Sequence, residues 1–363
     1  MKQSLTIIDR YLIRKFITTY FFALLLIIGI VIIFDISEKI DDFVAKEAPL
    51  RAIVGDYYYN FVPFFINMFS PLFVFITVIF FTSKLAANSE IVAMLSGGIS
   101  FNRLLRPYFI SAFVIALISL LLNLFVIPPA NKNRLLFEEQ YTKKGGGSSM
   151  NRNIHFQLEP NHYIYMESFS NWSNTANRFT LEKFEGNRLV SKLSAESAAW
   201  DTTMMGWKLN NYFIRHIDGE QERLEQGLRK DTILDLTVTE LKQRKESVSA
   251  LNFFELNQEI AKLKMRGDTR VELAQIEKNT RFAVPFSAFI LTLMGVSLSS
   301  KKRRGGIGLN IGIGIALSFT YILFLRFSEM FVRSDMMSPE LALWVPNMVF
   351  TVVAVVLYRL APK

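Results

Sequence analysis

The stretch FITTYFFALLLIIGIVIIF, residues 16–34, decides the fold class. It holds 19 residues and no charge. At ~1.5 Å per residue, that is about the helix length needed to cross a hydrocarbon core ~30 Å thick. Ile36-Ser37-Glu38 follows with no small-residue cleavage site, so the stretch reads as a membrane span and not as a cleavable leader. Five more apolar runs share its character: Tyr57–Phe81, Leu104–Ile127, Phe282–Leu298, Ile307–Phe327 and Leu341–Leu357. Pro63 and Pro71 predict a kink in the second, and Pro107 sits in the first turn of the third, where proline is tolerated. The whole composition agrees, with 51% hydrophobic residues and 33 Phe in a chain of 363, far more apolar side chain than a soluble core requires. There is no Cys and only three His (His155, His162, His216), which excludes disulfides, thiolate chemistry and a His-rich metal site.

The net charge of +9 has a topological meaning. With both termini cytoplasmic, the inner segments carry 13 basic residues against two acids, Asp9 and Glu90. The short outer loops 35–56 and 328–340 carry four basic residues (Lys39, Lys46, Arg51, Arg333) against nine acids. Thirteen against four is a positive-inside bias, so the basic excess orients the chain and does not point to nucleic acid.

Three spans precede the long middle segment, which places it outside. Residues 131–280 carry 22 Lys+Arg and 21 Asp+Glu, an ordinary balance for a folded domain. Gly145–Ser149 reads as a flexible loop. Runs of period two follow at Ile154–Leu158, His162–Phe169, Phe179–Phe184, Leu189–Ala195, Trp207–Ile217 and Thr232–Leu236, separated by turn residues at 159–161, 185–187 and 218–219. They predict an antiparallel sandwich or open roll. From Asn252 the pattern becomes helical, with Gly267 as its C-terminal stop. The expected organisation is 1–127, transmembrane helices 1–3 with a cytoplasmic helix at 88–98; 128–250, a periplasmic β domain; 251–280, a helical connector; and 281–363, transmembrane helices 4–6.

Catalytic motifs are missing. No G-x-x-x-x-G-K-[ST], H-E-x-x-H or G-x-S-x-G occurs, and no cofactor or metal is expected. Gly308, Gly312 and Ala316 recur every four residues in span five and read as a small-residue face for close helix packing. Arg326 and Glu329, three apart, form either an interfacial ion pair or part of a polar cavity. Asn67 and Asn123 are expected to bond across helices. The inner loop between spans two and three is the most informative short segment. Ser89 can cap a helix that Gly97 or Gly98 ends. That helix carries an apolar face of Ile91, Val92, Met94 and Leu95 and a lone acid, Glu90. It either lies on lipid or docks a cytoplasmic partner.

That segment, SEIVAMLSGGIS (89–100), resembles the coupling helix of the lipopolysaccharide-export permeases, the LptF/LptG family. IDRYLIRKFITTYFF (8–22), NHYIYMESF (161–169), AESAAWDTTMMGWKLNNY (195–212) and RFAVPFSAFILTLMGVSLS (281–299) extend the resemblance over nearly the whole chain. Length and the stretch WDTTMMGWKL (200–209) lean towards the LptG member. The resemblance implies a membrane α-helical fold of six transmembrane helices, with a periplasmic all-β jellyroll-like domain between helices 3 and 4. It implies a permease subunit of an ABC transporter that extracts lipopolysaccharide from the inner membrane. The partners implied are a second permease subunit, a dimeric cytoplasmic ATPase (LptB-like) and periplasmic jellyroll bridge proteins (LptC/LptA-like). Glu90, Ile91, Met94 and Leu95 become ATPase-coupling residues. The first and fifth spans line the lipid cavity, with Phe21, Leu24, Leu25 and Ile28 expected on one stripe of span one. One departure stands out: where the family often places basic residues outside span one, this chain reads FDISEKIDDF (34–43). Lys132, Arg134, Arg326 and Arg333 are the remaining candidates for cavity cations and lipid phosphates. Two other classes compete, a polytopic enzyme on envelope lipids that would use the acidic loop 35–56, and a sensor or scaffold with an outer ligand domain. Copurification of an ATPase separates the permease from both.

Overall fold

The computed structural model describes residues 6–142, 150–219, 221–238, 241, 245–268, 270–301 and 306–361. The expected loop Gly145–Ser149 lies outside them. The chain divides into two compact units.

The first unit takes in residues 1–137, 249–253 and 275–363. Its helices are α1 (Ile7–Ala45), α2 (Leu50–Ala87), the short α3 (Glu90–Ser96), α4 (Phe101–Tyr141), α6 (Val271–Ser299) from residue 275 on, α7 (Gly306–Arg333), α8 (Pro339–Ala342) and α9 (Val345–Leu360), while α5 (Phe253–Met265) belongs to the second unit from residue 254 on. Six spans are long and apolar enough to cross a membrane: α1, α2, α4, α6, α7 and the α8–α9 pair. α2 opens with a π-helical segment, Ile53–Tyr58, and α4 contains another, Leu122–Val126. Pro63 and Pro71 lie inside the continuous helix.

Packing ranks the spans. α6 is central, with 72% of its most apolar window buried, whereas α1 and α7 are peripheral at 22% and 28%. α2 packs against both α1 and α7. α1 buries the row Leu12, Phe16, Tyr20, Leu24 and Ile28, one residue per helical turn. Phe16 meets Phe81 and Tyr108 at ring-centroid distances of 5.5 and 6.3 Å, and those two rings stack at 5.2 Å. Polar side chains tie helices together inside the apolar bundle. Asn67 Nδ2 donates to Asn123 Oδ1 at 2.9 Å, and Ser119 Oγ donates to Asn67 Oδ1 at 2.6 Å. Tyr321 donates to Asn347, which itself donates to the Ala283 carbonyl.

The second unit, residues 138–248 and 254–274, is built on one antiparallel sheet. Its strands are β1 (Met150–Glu159), β2 (His162–Ser170), β3 (Thr175–Glu185), β4 (Arg188–Asp201), β5 (Gly206–Asp218) and β6 (Gln221–Thr232), hydrogen-bonded in sequence order. The expected all-β unit between the third and fourth spans is therefore present, its six described strands following one another in a single antiparallel sheet. The sixth strand is a correction. Thr232–Leu236 was expected to form it, but β6 is Gln221–Thr232, a charged edge strand with no clean alternation. The following residues leave the sheet, and Leu236, Val238 and Leu241 cover its core.

A line of backbone kinks crosses this sheet. Asn153, Arg178 and Asn211, on alternate strands, have φ of 53°, 47° and 50°. Arg178 bonds Glu167 on β2, and Asn211 bonds Glu196 on β4, so each kink faces a carboxylate across the strands. Along β3 the buried side chains change parity across Arg178, from Ala176 to Phe179; along β5 they change across Asn211, from Trp207 and Leu209 to Ile214. A left-handed residue re-aims the chain and bends the strand, which keeps one apolar side facing the core on both halves of the sheet. Trp207 anchors that core. It is fully buried, its indole N–H donates to the Leu236 carbonyl at 2.9 Å, and Phe169, Phe179 and Trp200 surround it. Trp207→Ala should destabilise this unit by ~3–5 kcal/mol through the cavity it leaves. Limited proteolysis of the full chain in detergent should show cleavage spreading through residues 150–232 while the helical fragments stay intact.

Candidate functional site

The helix ends around α3 hold the first cluster. α3 enters from Ser89, whose φ of +60° and lack of a side-chain cap bond differ from the expected capping role. The exit is as expected and more complete. Gly98 N–H bonds the Leu95 carbonyl and Ile99 N–H bonds the Met94 carbonyl, both at 3.1 Å, with Gly98 at φ +85°. That double closure needs a left-handed residue, which glycine supplies without a Cβ clash. Ile91 is fully buried in the bundle core, and Met94 and Leu95 pack against the same core. Of these three expected coupling residues, Ile91 seats α3 on its own chain, while Met94 and Leu95 are half-buried against it. The outward surface is Val92, at 52% exposure, with Ala93, Ser96 and half-buried Glu90.

Glu90 is held loosely. Tyr11 donates to its Oε2 at 3.2 Å, Asn88 donates to its Oε1 at 3.3 Å, and Lys15 donates to Tyr11 at 2.8 Å. A tighter contact flanks it. Both Arg103 Nη atoms donate to the two oxygens of Asp9 at 2.7 Å. Asp9 also closes a capping box with Thr6: Thr6 N–H donates to Asp9 Oδ2 at 2.9 Å and Asp9 N–H to Thr6 Oγ1 at 3.3 Å. Ser100 caps α4 by accepting from the Arg103 N–H. The Thr6-x-x-Asp9 spacing is a readable capping signal. The pairing of residues 94 apart left no trace in the sequence.

The second feature is the outer surface of α1 and α7. The expected stripe on α1 splits: Leu24 and Ile28 are buried at 2% and 8%, whereas Phe21 and Leu25 are exposed at 44% and 70%. Phe22, Leu26, Ile30 and Ile33 widen the exposed apolar surface. On α7 the packing expectation moves by two residues. Among the described residues nothing lies within 4 Å of a Cβ built at Gly308 or Gly312, and Ala316 is exposed. The close approach is at Gly314, where a Cβ would meet Ile79, and at Gly295 of α6, where it would lie 2.7 Å from Val78 Cγ1. Gly308, Gly312 and Ala316 thus leave a shallow outward face, with Phe319 and Leu323 exposed further along the helix.

At the outer ends, Lys39 does not stand free among the acids. It is paired with Asp35 at 2.8 Å and bonded to Tyr57, whose ring lies 4.6 Å from the ammonium, while Tyr58 donates to the other Asp35 oxygen. Arg326 is bound to Glu329 at 2.8 Å, the ion pair among the two expected forms. Arg134 is buried with its guanidinium 4.9 Å over the Phe64 ring. Lys132 and Arg333 are exposed. Among the described residues no three His, Asp or Glu side chains converge as a metal site. The arrangement presents a small inner helix for contact and broad apolar helix faces.

The family model described as "Lipopolysaccharide export system permease LptF/LptG" matches residues 10–360. No curated protein matches the chain.

Proposed function

Because the chain belongs to the LptF/LptG family of lipopolysaccharide-export permeases, we propose that it is one permease subunit of an ABC exporter in the bacterial inner membrane. It pairs with a second subunit of the same family and draws lipopolysaccharide from the outer leaflet. A dimeric cytoplasmic ATPase (LptB-like) supplies the work, and periplasmic jellyroll proteins (LptC/LptA-like) receive the acyl chains. Both termini lie in the cytoplasm and the β unit in the periplasm, as the 13 basic residues of the inner segments favour.

The observation that carries the reading is the division of α1 into a buried row and an exposed apolar face, on a helix at the edge of the bundle. Such a face suits acyl chains, whose burial contributes ~0.8 kcal/mol per CH₂. α7, on the other side of α2, offers a second face whose small residues Gly308, Gly312 and Ala316 leave room for a bulky lipid or for the partner permease. Exposed Lys132 and Arg333 are available to phosphates, whereas Lys39 is committed to Asp35.

A photo-crosslinking residue at Leu25, exposed at 70%, should capture lipopolysaccharide in membranes, and the same residue at Leu24, exposed at 2%, should not. Protein adducts alone along the whole of α1 would remove this helix from the lipid path.

A further inference from the structure

We infer that the Asp9–Arg103 pair carries the movement of α3 to α1, acting as a positioning element for transport; this rests on the permease reading above. α3 is only seven residues long and joins α2 to α4 through short turns. Its apolar side is locked into its own bundle through Ile91, Met94 and Leu95, so a push on its outer surface moves it as a rigid part of the helix ends. Besides a long bond from Arg103 to the Thr6 hydroxyl at 3.5 Å, two side-chain contacts among the described residues tie this region to the start of α1. The first is Tyr11 to Glu90, a hydrogen bond at 3.2 Å from a neutral donor. The second is Arg103 to Asp9, two parallel bonds at 2.7 Å, with the carboxylate 2% exposed and already fixed by the Thr6 capping box.

These contacts differ in what survives docking. A cation presented by an ATPase groove competes directly for Glu90, and a charge-assisted bond displaces a long neutral one. The Tyr11 link is then given up at the moment force is applied. Asp9 and Arg103 satisfy each other in bidentate geometry, so their link persists. Arg103 lies five residues beyond Gly98, at the first turn of α4, and Asp9 lies at the first turn of α1. The pair therefore connects the exit of α3 to the inner end of the helix whose outward face is apolar. Deeper along α1, Phe16 and Leu24 pack against neighbouring helices through apolar contacts, and the Tyr20 hydroxyl shares a single hydrogen bond with Ser70 of α2 at 2.6 Å, each less directional than a two-bond ionic fork.

The test uses the assembled permease pair and ATPase in proteoliposomes containing lipopolysaccharide. Arg103→Ala leaves the outer surface of α3 intact. It should retain ATPase copurification and ATP hydrolysis, while lipid released per ATP falls ~10-fold or more. The chain has no native Cys, so Asp9→Cys with Arg103→Cys can be bridged by a short bis-methanethiosulfonate, which forms a reducible disulfide with each thiol and releases methanesulfinate. Bridging should restore the ratio and reductant should remove it again, a reversal that a loss of stability alone would not produce. A normal ratio in Arg103→Ala, or a bridged pair that assembles and hydrolyses ATP but does not recover transport, would overturn the inference. Failure of any ATPase to copurify with the wild-type chain would instead overturn the permease reading on which it rests.

Discussion

Glu90→Lys abolishes lipid export while the chain still inserts and folds. The two halves of this expectation have separate physical grounds. Within the chain, Glu90 is half-buried and accepts two long hydrogen bonds, 3.2 Å from Tyr11 and 3.3 Å from Asn88. Bonds of that kind contribute on the order of 1 kcal/mol or less each, so the fold tolerates their loss. α3 itself is held by Ile91, Met94, Leu95 and the Gly98 closure, none of which involves the carboxylate. The functional half follows from the position of Glu90 on the outward edge of α3, beside Val92, where an ATPase groove would close over it. Once desolvated and paired with a cation, it becomes costly to remove: truncating one side of such a pair costs ~2–5 kcal/mol. At ~1.4 kcal/mol per tenfold, assembly weakens roughly 30-fold to several thousand-fold. Reversal to Lys adds repulsion from the groove and from neighbouring Lys15. The expected order of transport is Glu, then Asp with partial function, then Ala, then Lys with none. Lipid release from proteoliposomes, measured beside ATPase copurification, checks it. Wild-type release by Glu90→Lys with normal ATPase binding would leave α3 without a docking role.

The second large effect is structural and separates two glycines two residues apart. Gly314→Val should weaken the packing of α7 on α2. A Cβ at that position meets the Cδ1 methyl of Ile79 on α2, which can turn aside for a single added carbon, whereas valine adds two methyl groups beyond it. Overpacking of a well-filled core costs ~1–3 kcal/mol even where neighbours can shift. Here both partners are long helices, and Ile79 is fully buried in the bundle core. Gly312→Val, on the outward face, meets no atom of the described chain within 4 Å and should give normal yield. Size-exclusion chromatography in detergent should show the monodisperse peak lost, by ~10-fold or more, for Gly314→Val alone. Ile79→Ala combined with Gly314→Ala should recover much of it. Equal behaviour of Gly312→Val and Gly314→Val would mean that α2 and α7 do not approach as described.

Much of the architecture could be read locally. The six spans, the all-β unit between the third and fourth, and an inner helix ending at Gly98 are all carried by short-range properties: apolar length, period-two alternation and a glycine at a left-handed position. β6 escaped because an edge strand exposed on both sides carries no alternation, and QERLEQGLRKDT reads as a solvated segment until β5 pairs with it. The candidate site was half legible. The single acid Glu90 in a basic inner segment drew attention by its charge; Tyr11, Asp9 and Arg103 reach α3 or its flank only through the fold.

What the sequence determined by itself was therefore which segments are long and apolar enough to cross a membrane, since that follows from a sum over neighbouring residues, hydrophobicity over ~20 positions. What only the tertiary structure decided was the rotation of each helix about its own axis. In water, a helix shows its inner face by contrast between polar and apolar sides. In lipid, that contrast is erased, because Leu24 turned inward and Leu25 turned outward both meet apolar surroundings. The choice then falls to volume and hydrogen bonding between segments far apart in the chain. Gly314 admits Ile79 where Gly312 meets nothing, and Asp9 finds Arg103 across 94 residues.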